Sequence, residues 1–302
     1  MTYQTFQDLK ISSLGMGNMR LPVDENGIIQ KQKAEEMLVY AYENGINYFD
    51  TAYRYHDGQS EPFVGEVLAQ FPRETWYLAS KMPGHMMHYK NGKLGFQGYL
   101  AGHTMDSIAE LFEDQLARCG VDYFDFYLLH NVAESSYDFY TNEELGVVRY
   151  LQEQKKQGKI RHLGFSSHGR VEIIERFLDH YPGIFEFVQI QLNYMDWALQ
   201  EAGRKYELLT KRNIPVVVME PVRGGALASL SEAGNALLKE KRPQDSIAAW
   251  AFRYLQALPG LLTVLSGMTT MEQLKENMAL FANPDPVTPE KRRCCKKQLQ
   301  IY

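Results

Sequence analysis

Apolar residues fall into two kinds of run that alternate from one end of the chain to the other. Short runs rich in β-branched and aromatic residues predict strands at SLGMGN (13–18), INYFD (46–50), TWYLASK (75–81), FDFYLLH (124–130), IRHLGFS (160–166), FEFVQIQL (185–192), IPVVVME (214–220) and LLTVLSG (261–267). Between them, apolar residues recur at steps of three and four, as in Ile108, Leu111, Phe112 and Leu116. That period predicts helices over 31–45, 60–71, 104–120, 142–158, 170–181, 199–212, 245–258 and 270–281. Gly45, Gly120 and Gly158 stand where a left-handed residue closes a helix.

About eight strand–helix units in a chain of this length predict an α/β fold of the (β/α)8 TIM-barrel type. The competing doubly wound sheet normally places a Gly-rich turn and a helix after its first strand. Here SLGMGNMRLP runs into a proline instead, so that fingerprint is absent. One domain over 1–302 is expected, with 82–103 a long loop on the catalytic face and 284–302 a tail. The least regular stretches are 82–103 and 282–289.

Composition narrows the function classes. The 302 residues carry 37 acids against 32 Lys and Arg, a net charge of −5, which argues against general nucleic-acid or anionic-membrane partners. No run is long enough to span a membrane, and MTYQTFQDLK does not resemble a secretory leader. Cys119, Cys294 and Cys295 form neither a disulfide framework nor a metal-ligand spacing, so a reducing cytoplasm is expected and no metal.

The chemistry sits at the predicted strand ends, where a barrel of this type opens its site. The second strand ends on Asp50 with Tyr55 following, the third on Lys81 and the fourth on His130. Singly, each has an ordinary explanation: a turn cap, a packing aromatic, a solvated strand end, a core histidine. At three successive strand ends of one barrel they suit proton donation to a carbonyl oxygen. A lysine ammonium favours the phenolate and is expected to lower the phenol pKa, a carboxylate holds the lysine charged, and an imidazole hydrogen-bonds the substrate oxygen.

These residues carry a family resemblance. FDTAYRYHDGQSEPFVGEVL (49–68), the lysine ending WYLASK and the histidine ending YLLH resemble the aldo-keto reductases, and the similarity extends from the first strand to Asn277. It implies a catalytic tetrad of Asp50, Tyr55, Lys81 and His130, with Tyr55 the general acid. It also implies a nicotinamide cofactor, NADP(H) or NAD(H), and a small-molecule carbonyl substrate. The implied cofactor segments are Gly17, Asn18 and Met19 beside the nicotinamide, with Asp50; Ser166 and Ser167 at its carboxamide, Ser167 replacing the usual asparagine; and Gln191 as a second carboxamide partner. Met219 stands where many relatives stack a tyrosine. Pro221, Val222, Arg223, Gly224 and Gly225 form the loop over the pyrophosphate. Gly267, Met268, Gln273, Glu276 and Asn277 form the adenosine end, with Gly267 and Gln273 in place of the usual Lys and Arg for a 2′-phosphate unless Lys275 compensates.

Arg54 and Trp197 are candidate substrate contacts, Arg54 with a surface pairing to Asp57 or Glu61 as its equal alternative. Tyr89, Phe96 and Tyr99 are candidate walls in a lid over 82–103, and His85, His88 and His103 there are read as solvated. This branch of the family often continues into an iron–sulfur segment. The adjacent pair in KRRCCKKQLQIY (291–302) cannot supply its ligands, so either the protein lacks that module or this chain stops short of one. The leading reading is a reductase of aldehydes or ketones. The alternatives are a nicotinamide-sensing regulatory subunit with little turnover, and a barrel lyase or isomerase using the same tyrosine and lysine.

Overall fold

The eight apolar runs form eight strands that close on one another. In a computed structural model describing residues 1–102 and 105–288, a hairpin of β1 (Tyr3–Phe6) and β2 (Leu9–Ser12) leads into β3 (Leu14–Gly17), β4 (Tyr48–Asp50) and β5 (Tyr77–Met82). A second hairpin, β6 (Met87–Lys90) and β7 (Lys93–Phe96), precedes β8 (Phe124–Leu129), β9 (Ile160–Ser167), β10 (Phe187–Gln191), β11 (Val216–Met219) and β12 (Leu261–Ser266). The eight barrel strands pair in parallel and in chain order, and β12 returns to β3. The fold is the expected (β/α)8 barrel.

The helices are α1 (Lys31–Glu43), α2 (Ser60–Leu68), α3 (Ile108–Cys119), α4 (Tyr137–Tyr140), α5 (Val147–Lys156) and α6 (Val171–His180). They continue with α7 (Asp196–Leu199), α8 (Ala202–Lys211), α9 (Glu232–Lys241), α10 (Ile247–Gln256) and α11 (Met271–Ala282). In α3 the Ser107 hydroxyl caps the first turn by accepting from the Glu110 N–H. Ile108, Leu111, Phe112 and Leu116 are buried, and Gly120 ends the helix at φ 62°.

Two cores follow from the strand period of two. Tyr48, Ala79, Phe126, Leu128, Phe187, Val217 and Leu265 fill the barrel interior, and a larger cluster lies between strands and helices. Phe6 and Ile11 of the first hairpin belong to the interior cluster, and the Phe6 ring lies 5.9 Å from Phe126 and 4.9 Å from His162. The hairpin therefore packs on one end of the barrel, a role the N-terminal sequence did not announce.

The segment expected to be a long irregular lid is ordered differently. Asn91 and Gly92 take φ of 53° and 73°, so they form the left-handed pair that a two-residue hairpin needs, and β6 and β7 flank them. Met87 and Leu100 are buried, and Gly84 lies so close to the Tyr140 ring that a Cβ there would stand 2.4 Å from it. Phe96 packs against the core, and the Tyr89 hydroxyl reaches Glu144 at 3.1 Å. This is a hairpin anchored on α4 rather than a free lid. His103, Cys294 and Cys295 lie outside the described residues, as does the Tyr99 side chain. The short α4 and α7, and α9, were also not foreseen. Among the described residues no helix is long and apolar enough to cross a membrane.

Glu186, just before β10, ties the hairpin to the barrel. It accepts from Gln7 at 2.9 Å, from the Leu163 N–H at 3.0 Å and from Lys155, with the His162 ring at 3.1 Å. Burial alone would raise its carboxyl. Hydrogen bonds from His162, Lys155, Leu163 and Gln7 outweigh that and hold it at about 2, against an ordinary value of 4.5. A group depressed in this way contributes stability that is complete above pH 4.5 and is lost as pH falls toward 2. Glu186→Gln is therefore expected to flatten the fall of the urea midpoint between those two pH values. Parallel wild-type and variant curves across that range would show that Glu186 does not carry the acid sensitivity.

Candidate active site

Strand periodicity decides which residues reach the barrel mouth. Two positions beyond the interior residues Tyr48, Ala79, Leu128, Val217 and Leu265 come Asp50, Lys81, His130, Met219 and Gly267, and four beyond Phe187 comes Gln191. The predicted site is thus the next layer above the interior core. Pairing across β4, β5 and β8 sets Asp50 beside Ala79 and Lys81 beside Leu128.

Lys81 is the centre of this layer. Its side chain has no solvent exposure, and its ammonium donates to Asp50 Oδ1 at 2.6 Å, to the Thr51 carbonyl at 2.8 Å and to the Tyr55 hydroxyl at 3.2 Å. Burial disfavours the ammonium, but Asp50 and Tyr55 outweigh it, so the Lys81 pKa rises and the charge is kept. Burial pushes the Asp50 carboxyl up, with Lys81 opposing. Burial also raises the Tyr55 phenol, and Lys81 only partly opposes this. The expected depression of that pKa does not occur, because loss of water around the phenol exceeds the attraction of one ammonium.

His130 stands edge-on to Tyr55, with ring centroids 6.1 Å apart. Burial pushes its pKa well below 6.5, reinforced by His85, Lys81 and His168, so the imidazole is neutral at neutral pH. The His85 ring lies 4.5 Å from it, and His85 Nδ1 is 3.1 Å from the His130 carbonyl. Tyr140 donates to the same carbonyl at 2.7 Å. The loop carrying Tyr55 is fixed from both sides: the Leu21 N–H donates to His56 Nε2 at 3.2 Å, and Thr51 and Ser60 share a hydrogen bond of 2.8 Å.

The other predicted residues fall unevenly. Asn18 is buried and donates to the Asp50 carbonyl at 3.0 Å, whereas Met19 is exposed. Ser166 accepts from the Asn131 N–H at 2.9 Å, which leaves its own proton to donate. Ser167 is committed elsewhere. It donates to the Val132 carbonyl at 2.6 Å and accepts from the Gly169 N–H at 3.0 Å, so it does not replace the missing asparagine amide. Gln191 lies at the end of β10, donating to Asp196 at 2.7 Å. Pro221 and Val222 lead into Arg223, Gly224 and Gly225, with φ of 50°, 62° and 99°. Met268 is buried.

At the far end Gln273 is a helix cap, its Oε1 accepting from the Thr269 N–H at 2.8 Å in a reciprocal capping box with Thr270. Asn277 donates to Ser266 at 3.2 Å, Glu276 is exposed, and Lys275 lies over the Tyr40 ring at 5.2 Å. Gly267 is overlain by Arg20, whose Cγ would lie 2.7 Å from a Cβ there.

Both substrate candidates have partners within the protein. Arg54 pairs with Asp57 at 2.9 Å, the surface alternative. Trp197 packs against Tyr206 and Tyr254, with centroids 5.8 and 6.0 Å away, and over Gly203, so its role is helix packing. Sequence reasoning missed Asp196, Asn193, His168 and Arg20, and it read as solvated His85, which packs against the His130 ring. The pattern NYMD after β10, a pair of polar side chains three residues apart at a helix start, was the available signal for the first two. Among the described residues no cluster of His, Cys, Asp and Glu is arranged to hold a metal ion. A cavity of about 780 Å³ lined by Phe6, Gln7, Asp179 and Pro215 opens at the opposite end of the barrel, and no tetrad residue lines it.

Comparisons with known proteins bear on the family and the fold. The sequence profile of the Aldo/keto reductase family matches residues 13–292. The uncharacterized oxidoreductase YqkF of Bacillus subtilis is 29% identical over 94% of this chain and 91% of its own length. The NADH-specific methylglyoxal reductase of Escherichia coli is 27% identical over 90% of each chain. Among solved structures, the holo form of an aldo-keto reductase from Bacillus halodurans superposes with a TM-score of 0.74 at 28% identity, covering 99% of this chain and 95% of that one. With the family's profile spanning the barrel from its first strand, this chain belongs to the aldo/keto reductase family.

Proposed function

We propose that this protein reduces an aldehyde or ketone to an alcohol with a nicotinamide cofactor, Tyr55 acting as general acid. The observation that carries the reading is the buried Lys81 ammonium held between Asp50 and the Tyr55 hydroxyl, at 2.6 and 3.2 Å. A dihydronicotinamide, when bound, supplies a hydride. The Tyr55 phenol, kept protonated by burial, donates its proton to the carbonyl oxygen as negative charge grows there. Lys81 lowers the cost of the phenolate left behind, because it is already charged, desolvated and aimed. Asp50 balances that charge. His130, neutral at working pH, donates a ring N–H to the same oxygen and fixes which way the carbonyl points.

The residues fit a nicotinamide dinucleotide. Asp50 Oδ2 and Asn18 Oδ1 are buried acceptors without a hydrogen-bond partner, suited to hydroxyl or amide donors from a ligand. Ser166 retains a proton to donate, and Gln191 a carbonyl oxygen to accept. Gly224 and Gly225 form a left-handed turn with open space where a Cβ at Gly225 would stand, so an anionic group can approach the backbone.

The adenosine end favours acceptance of NADH. Gly267 has no side chain and Gln273 is an uncharged helix cap, so neither offers a charge for a 2′-phosphate, and Lys275 lies over the Tyr40 ring at 5.2 Å. Arg20 crosses Gly267 toward Gly224, the turn assigned to the pyrophosphate. The similarity to a reductase named NADH-specific is in keeping with this.

Two outcomes test the proposal. Tyr55→Phe is expected to bind the cofactor as wild type does and to lose roughly 10²–10⁴ in kcat with an aldehyde substrate. Undiminished turnover would remove Tyr55 from its role. Separate fluorescence titrations are expected to give an NADH affinity equal to or tighter than that for NADPH, and a clear NADPH preference would place a phosphate-binding cation in this site.

A further inference from the structure

Asp196 is a fully buried carboxylate at the first position of α7, immediately beyond the mouth of the barrel. Its Oδ2 accepts from Gln191 Nε2 at 2.7 Å and from Asn193 Nδ2 at 2.7 Å, and its Oδ1 accepts from Arg223 Nε at 3.1 Å. Asn193 also donates to the Glu220 carbonyl at 3.0 Å and accepts from the Asp196 N–H at 2.8 Å. One carboxylate thus gathers the end of β10, the residue after β11 and the start of the Arg223–Gly225 turn. Burying a charge is costly unless several donors meet it, and here three do.

Two consequences follow from the chemistry of the group. A carboxylate can only accept, so Gln191 must turn its amide nitrogen to Asp196 and its carbonyl oxygen away. The flip of that amide is therefore set from one end by charge, while the His168 ring hydrogen-bonds the same side chain. Arg223 sits at φ 50°, an uncommon backbone conformation for a residue with a side chain, and Asp196 with Met195 Sδ, 3.8 Å from Nη1, engages its guanidinium.

We propose that Asp196 is a positioning residue that couples the two halves of the dinucleotide site. It presents Gln191 as an acceptor to the nicotinamide carboxamide, and it holds Arg223 so that the adjoining glycine turn is formed before the pyrophosphate arrives. The inference rests on the nicotinamide reading above and deepens it. Without the negative charge, Asp196 no longer dictates which end of the Gln191 amide faces it, and the turn loses its anchor at the same time.

The test is a comparison of binding, read by nicotinamide fluorescence, with NADH and with reduced nicotinamide riboside, which carries neither phosphate nor adenosine. Asp196→Asn, nearly isosteric, is expected to weaken NADH by about 10- to 100-fold, the scale of lost charge-assisted hydrogen bonds. It should also weaken the riboside. In a Gln191→Ala background, Asp196→Asn should have little further effect on the riboside while still weakening NADH through Arg223. A merely structural role would not produce that split. Arg223→Ala, which changes a partly exposed side chain, keeps the test open if Asp196→Asn does not fold, and it should weaken NADH while sparing the riboside. Asp196→Asn or Arg223→Ala protein that is folded and binds NADH within twofold of wild type overturns the proposal, as do additive effects of Asp196→Asn and Gln191→Ala on the riboside. Wild-type protein that binds neither NADH nor NADPH overturns the nicotinamide reading itself.

Discussion

A lysine ammonium with no access to water is the constraint on which the site depends. Desolvating such a charge costs several kcal/mol in order of magnitude, and Lys81 is tolerable only because Asp50, the Thr51 carbonyl and the Tyr55 hydroxyl surround its nitrogen. Those three partners come from the end of β4 and the loop after it. The lysine therefore fixes the loop, and with it the phenol. The backing is also polar: Gln115 donates to the Lys81 carbonyl at 3.2 Å and to Glu61 at 2.7 Å, and Arg118 and Ser80 complete the shell around that buried glutamate. A phenol next to a cation is thus held in place by the same contacts that make the buried cation affordable.

The opposite side of the mouth is organised on the same principle with the sign reversed. There a buried carboxylate, Asp196, is surrounded by amide and guanidinium donors from β10 and the segments after β10 and β11. The two buried charges sit on opposite arcs of one strand-end layer. Each converts flexible polar side chains into groups of fixed direction, which is what preorganisation requires.

The first strands and the last meet through backbone pairing, β12 to β3, so the ring of strand ends is closed before any side chain is considered. Closure explains why residues more than two hundred positions apart belong to one mouth. It also explains the crowding around Gly267, where Arg20 from the loop after β3 crosses the end of β12. At the two positions where the family resemblance implies cations for a 2′-phosphate stand a glycine and a helix cap. Neither residue adds charge to the rim.

The amino-acid sequence by itself determined the eight strands, eight of the helices around them, and the four residues at the mouth. These follow from periods of two and of three to four, and from residues standing one step beyond an apolar run. All are local properties of a chain. The Asn91–Gly92 turn was equally local and was legible, though overlooked within a long polar stretch. What only the tertiary structure decided concerns partners from distant segments. Ser167 was a plausible amide substitute until Val132 claimed its proton, and Trp197 a pocket wall until Tyr206 and Tyr254 took its faces. The phenol pKa was expected to fall until burial proved the larger effect. Asp196 gave little sign of its importance, because a buried carboxylate is defined by the donors that converge on it, and convergence exists only once the strands have closed.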